Sequence, residues 1–228
     1  MGLIIYLDTV LVPLSLFIMV GYHVYLWQCF KNKPSQTTIG IDSLRRKSWF
    51  LEVKEGDDKK SMLAVQSLRN AQMTTIFTAS IAILVNLSLA ALTNNSYNAG
   101  HLLSSAVFGS QSGKLSVLKF GSASFFLLAS FLCSSIGLGF MIDSNFLINI
   151  ASYEFSSWPA YTQTIFERGF FLALIGNRVL CITFPLLLWL LGPLPVGLSS
   201  VALVWGLYEF DFHGKSVTSS SNNATALR

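Results

Sequence analysis

The feature that most constrains this chain is its first apolar run. It fills most of Leu3 to Phe30, and no lysine or arginine precedes Lys31. As a helix such a run covers about 42 Å, more than the roughly 30 Å of hydrocarbon in a bilayer. A cleaved secretory signal would open on basic residues and carry a shorter apolar core. A retained membrane span is therefore expected. Tyr6 stands where an N-myristoylation signal requires Ser or Thr, so that modification is not expected.

The run is not alone. Spans are expected at about 4–29, 71–92, 118–141 and 179–208. From Gly169 to Phe210 the chain is apolar but interrupted by Arg178, Pro185, Gly192-Pro193 and Pro195. That stretch reads as one kinked span, or as a span followed by a short re-entrant helix. Four spans are expected, with five as the alternative. Composition agrees: 52% of the residues are hydrophobic, 11% are charged, and the mean hydropathy is +0.56. A soluble domain carries about 25% charged residues, so a dissolved enzyme is excluded. Residues 1–212 read as one helical membrane domain, and the Ser/Asn/Thr-rich tail 213–228 as disordered.

Orientation follows the basic residues. The connection from Lys31 to Arg69 holds nine of them, including Arg45-Arg46-Lys47, whereas Thr93 to Val117 holds only Lys114. The first connection is expected in the cytosol, which puts the N-terminus outside and, with four spans, the C-terminus outside as well. The sequons at Asn94 and Asn223 fit that arrangement, and the one at Asn86 lies inside a span. Arg45-Arg46-Lys47 followed by Trp49-Phe50-Leu51 suits an interfacial helix on anionic lipid. No nucleic-acid partner is implied.

No catalytic constellation is present. His23, His101 and His213 lie in different segments, and there is no nucleophile elbow, phosphate loop or metal-spaced cluster. Neither an enzyme nor a cofactor nor a metal is expected. Cys29, Cys133 and Cys181 fit no metal spacing. Polar residues within the spans are more informative. Asn70, Thr74, Thr78, Ala82 and Asn86 follow at i, i+4 and read as one small, polar stripe. Such a stripe faces either a neighbouring helix or an aqueous pathway. Ser122, Ser130, Ser134, Gly137 and Gly139 in the third span favour close helix approach. Arg178 is costly at membrane depth and needs a partner, for which Asp143 or Glu167 is expected. Asp143, Asn177 and Arg178 are thus the expected structural polar network. Glu52 and Glu55 would collect cations at a pore mouth in a symmetric ring.

Several segments carry a family resemblance. They are Gly21-Tyr22-His23-Val24-Tyr25; Pro34 with Thr37 and Gly40; Arg45 with Trp49; Leu63-Ala64-Val65-Gln66-Ser67-Leu68-Arg69-Asn70; Gly176-Asn177-Arg178; and Leu188-Trp189-Leu190-Leu191-Gly192-Pro193. From Tyr22 to Asp211 the chain resembles plant members of a small membrane-protein family whose function is undefined. Its size and pattern also resemble WeiTsing-type proteins of the plant endoplasmic reticulum, which are pentameric, calcium-permeable channels linked to immunity. That resemblance implies a homo-oligomer, Ca²⁺ among the permeating cations, and the endoplasmic reticulum, with the plasma membrane as the alternative location. The expected architecture is an all-α membrane protein in a cyclic homo-oligomer, since one four-helix subunit is too small to enclose a wide aqueous path. The expected function is cation conduction, with Gln66, Asn70, Thr74 and Thr78 lining the path. The rival is a non-conducting scaffold whose basic loop binds lipid or a protein partner.

Overall fold

In the computed structural model, which describes residues 2–54, 58–98, 113–150 and 159–212, the apolar segments are helices. A helix bonds its own backbone groups, which hydrocarbon cannot do for them. The order is α1 (Gly2–Asn32), a 3-10 turn (Pro34–Gln36), α2 (Thr38–Lys54), α3 (Asp58–Asn98), α4 (Gly113–Ile150), α5 (Pro159–Leu188) and α6 (Pro193–Phe212). Four segments are long and apolar enough to cross a membrane: Val10–Asn32, Met62–Asn94, Leu115–Ile148 and Tyr161–Leu188. Large apolar side chains, among them Phe17, Phe77, Phe125 and Trp205, stand exposed around the bundle. Water would not tolerate so much apolar surface, whereas lipid accepts it. The fold is that of a multi-pass helical membrane protein.

The last apolar stretch departs from expectation. It is not one span over 179–208 but two helices, α5 and α6, joined at Trp189–Gly192. Hydropathy runs through this joint unbroken, but the backbone does not. Gly192 takes φ 143°, a conformation that side-chain-bearing residues rarely adopt. Pro193 then disfavours a helical residue before it and starts α6 with its preset φ. Pro185 sits inside α5 without ending it.

Antiparallel neighbours α3–α4 and α4–α5 form the centre of the bundle. Thr75 reaches the Met141 sulfur, and Asn86 accepts a hydrogen bond from Ser124 Oγ at 2.7 Å, so the sequon at Asn86 is a packing residue. Ser130 Oγ donates to the Gly176 carbonyl at 2.7 Å. A Cβ on Gly176 would stand 2.2 Å from Ser134 Oγ, and one on Gly137 2.9 Å from the Ala173 amide nitrogen. These small residues bring α4 and α5 into backbone contact. Gly139, expected to do the same, faces open space, as does Gly121.

Helix α6 runs parallel to α1. Gly197 lies against Leu11 at one end, and Tyr22 meets Asp211 at the other. At 20 residues α6 is about 30 Å long. Thr38 Oγ1, at the start of α2, donates to the Phe210 carbonyl at 2.8 Å. The end of α6 therefore lies at the same end of the bundle as the basic helix α2. The expectation put the chain end opposite the basic connection, whereas Phe212, the last described residue, lies at the same end of the bundle as α2. The tail from residue 213, with its sequon at Asn223, lies outside the described residues.

This arrangement predicts a labelling pattern. In a chain whose native cysteines are replaced by serine, Ser48→Cys on α2 and Glu209→Cys on α6 should react with an impermeant maleimide from the same face of a sealed vesicle. Leu194→Cys should react from the opposite face. Labelling of the first two from opposite faces would show that α6 does not cross.

Candidate functional site: a polar cleft closed by an ion pair

Arg178 lies in the middle of an apolar helix, and its charge requires a counter-charge. The structure supplies Asp211 from α6. The guanidinium grips the carboxylate in two places: Nη1 donates to Oδ2 at 2.9 Å, and Nη2 donates to Oδ1. Tyr22 Oη on α1 also donates to Oδ2. Asp211 is 2% exposed and Arg178 16%. A two-point grip suits the planar guanidinium, and a third donor satisfies the remaining lone pairs. Three helices distant in sequence are thereby fastened at one point.

The expected network of Asp143, Asn177 and Arg178 is thus corrected. Residues of α4 that face the interior recur at Ser130, Ser134, Gly137, Met141, Ser144 and Ile148, and Asp143 falls between them on an exposed face. Glu167, the other expected partner, accepts a hydrogen bond from Gln163 Nε2 at 2.8 Å.

The ion pair forms one wall of a cleft of about 440 Å³ among α2, α3, α4, α5 and α6. Thr74, Thr75 and Thr78 line it from α3, Asn177 beside Arg178 from α5, and Asp42 with Arg46 from α2. Helix α2 owes its position to a tight elbow. Thr37 Oγ1 accepts the Gly40 amide at 3.2 Å, capping the helix, and a Cβ on Gly40 would lie 2.1 Å from the Pro34 carbonyl oxygen. Burial lowers the Arg46 pKa from its ordinary value, while Asp42 and Glu167 oppose that shift. Its guanidinium lies 4.8 Å from the Phe170 ring centroid, a cation–π contact that partly offsets lost water. The charges in the lining balance: Asp42 and Asp211 against Arg46 and Arg178.

The stripe on α3 divides. Each i+4 step advances about 400°, so the row from Gln66 to Asn86 turns through about 200°. Gln66 and Asn70 are exposed and outside the cleft lining, Thr74 is exposed at its rim, and Thr78 is buried in its wall. Ala82 is fully buried and Asn86 bonds α4. One residue row is therefore a cleft lining at one end and a packing face at the other. Glu52 is exposed on α2 beyond the cleft, and Glu55 lies outside the described residues.

A family model described as "Protein of unknown function, DUF599" matches residues 10–216. The chain belongs to the DUF599 family. No curated protein and no solved structure matches it. The DUF599 region contains every residue of the cleft and of the ion pair. Among the described residues, no group of three His, Cys, Asp or Glu side chains is placed to hold a metal. Sequence reasoning singled out Thr74, Thr78, Asn177 and Arg178, which the fold brings together. It missed Tyr22 and Asp42 as cleft-side partners and assigned Asp211 no role. The available signal was Asp211 itself, a carboxylate set between Phe210 and Phe212 at the end of an apolar helix.

Three outcomes follow for the DUF599 fold. Arg178→Gln or Asp211→Asn strands a buried charge and should lower stability by about 3–5 kcal/mol in detergent unfolding, whereas Arg178→Met with Asp211→Leu should recover most of the loss. Asp143→Asn, on the exposed face, should leave the midpoint unchanged. Gly40→Ala drives a Cβ into backbone and should release α2, read as faster proteolysis after Arg45 or Arg46 in an otherwise intact bundle.

Proposed function

We propose that the protein conducts cations across a membrane as a ring of identical subunits, with the cleft as a vestibule at its basic end. The observation that carries this reading is the exposure of Gln66, Asn70 and Thr74 on the outside of one subunit, within the apolar span that begins at Met62. Thr74 Oγ1 donates to the Asn70 carbonyl at 3.1 Å within α3, but an Asn70 amide facing hydrocarbon would lack a partner. A second copy of the chain or a column of water removes that cost, and a ring supplies both. The exposed groups continue into the cleft through Thr74, so a path along them leads to Thr78, Asn177 and Asp42.

Because the lining charges cancel, selectivity in this reading rests on hydroxyl and amide oxygens rather than on a net negative field. The described conformation is closed beyond Thr78, where Ala82, Leu89, Ala123 and Leu127 pack in one core. Conduction then requires α3 to move against α4. The resemblance extends the proposal to Ca²⁺ among the cations, a pentamer as the ring and the endoplasmic reticulum as the membrane.

One observation favours a second reading, a non-conducting scaffold. The balanced charges and the packed far half also suit a site that holds α2 in place for a partner. Planar-bilayer recording of the purified protein separates the two. Under the conduction reading, cation current appears, and Asn70→Leu with Thr74→Leu cuts it about tenfold or more, a change of roughly 1.4 kcal/mol in barrier. Cross-linking in detergent should show a closed oligomer. Absence of current from protein with a normal oligomer profile would favour the scaffold, and a clean monomer would end the shared-pore proposal.

A further inference from the structure

A smaller cavity of about 380 Å³ lies on the other side of Arg46 from the ion pair, between α2, α3 and α5. Its composition is divided. Arg45 and Arg46 stand on the α2 side, while Leu68 of α3 and Phe166 and Phe170 of α5 form an apolar floor, with Trp49 alongside. Trp49 stacks on Phe166 with ring centroids 6.0 Å apart, and Phe166 meets Phe170 at 4.8 Å. The cavity lining contains two cations and no carboxylate. Asp42 and Glu167 act on Arg46 from outside that lining, and among the described residues neither forms an ion pair with it within 4 Å.

Depth agrees with this division. Leu68 lies six residues beyond Met62, where the α3 span begins, and Phe166 five beyond Tyr161, where the α5 span begins. Those offsets are about 7–9 Å of helix, the distance from a headgroup plane into the start of the acyl region. Arginine heads remain with the headgroups while rings and stems lie below, and tryptophan settles at the same boundary.

We propose that this cavity is a binding site for an anionic phospholipid, with its phosphate on Arg45 and Arg46 and one acyl chain against Leu68, Phe166 and Phe170. Charge complementarity selects the anionic headgroup, and the aromatic floor selects a lipid over a free anion. Because Arg46 also lines the polar cleft, the bound lipid braces the wall that α2 presents to it. The site depends on neither reading of function above.

Trp49 reports on the site directly. The full chain is reconstituted in phosphatidylcholine containing a minor fraction of brominated phosphatidylglycerol or, separately, brominated phosphatidylcholine. The Trp49 component is obtained by subtracting the Trp49→Phe signal. Quenching should be stronger with the anionic lipid, and the preference should fall about fivefold for each arginine removed in Arg45→Gln and Arg46→Gln. Arg45 is exposed, so Arg45→Gln tests the charge without disturbing packing. Arg45→Lys with Arg46→Lys should keep part of the preference, and added glycerol phosphate should not compete. Equal quenching by the two lipids, or a preference that survives both glutamine substitutions, overturns the proposal. Competition by glycerol phosphate would show a soluble phosphate site instead.

Discussion

The bundle depends on the contact between Arg178, Asp211 and Tyr22. Each charge alone would be expensive at this depth, and burial of Asp211 strengthens their attraction. Together they tie α1, α5 and α6 with side chains that cannot bond lipid as an alternative. A misplaced α6 would leave Arg178 unpaired, so the pair specifies helix order as well as contributing to stability. Parallel packing of α1 and α6 then follows. Thr38, bonded to the Phe210 carbonyl, joins the start of α2 to the same corner. Ion pair, elbow and cleft are therefore one connected construction.

Three of the spans, α1, α3 and α4, were legible in the sequence because hydropathy and length suffice to define them. The joint between α5 and α6 was not legible that way. It depends on a single positive φ at Gly192 and on Pro193, which change backbone direction without changing hydropathy. Treating Pro185, Gly192-Pro193 and Pro195 as equivalent interruptions hid the fact that only one of them ends a helix. The end of the bundle that Phe212 reaches followed from that joint, because the chain turns back there into α6.

The site was half legible. Arg178 announces its need for a partner, but residue type cannot identify that partner among Asp143, Glu167 and Asp211. Three-dimensional facing decides it. Asp143 falls off the interior row of α4, and Asp211 reaches Arg178 only because α6 returns beside α1. The i+4 row on α3 misled for a geometric reason. Such rows wind around a helix rather than running along it, so Gln66 and Asn86 cannot share a wall. An alternation of three- and four-residue steps would have held one face.

That winding bears on how any permeation path must work. A straight path along α3 would need side chains three and four residues apart, and from Thr78 such steps reach Ala82, Val85 and Leu89. All three are apolar, and they belong to or pack against the core between α3 and α4. The polar surface of α3 therefore ends inside the bundle instead of crossing it. Under the proposed conduction reading, water admitted through the cleft would meet this apolar plug, which would open by helix displacement rather than by rotation of a single side chain. The close α4–α5 contact at Gly137 and Gly176 holds that pair together, while α3 meets α4 through the Ser124–Asn86 bond, Thr75 against Met141 and the core around Ala82 and Ala123. Under the proposed conduction reading, Thr74 and Thr78 lead to the seam between α3 and α4, and the core packed there is what would have to part.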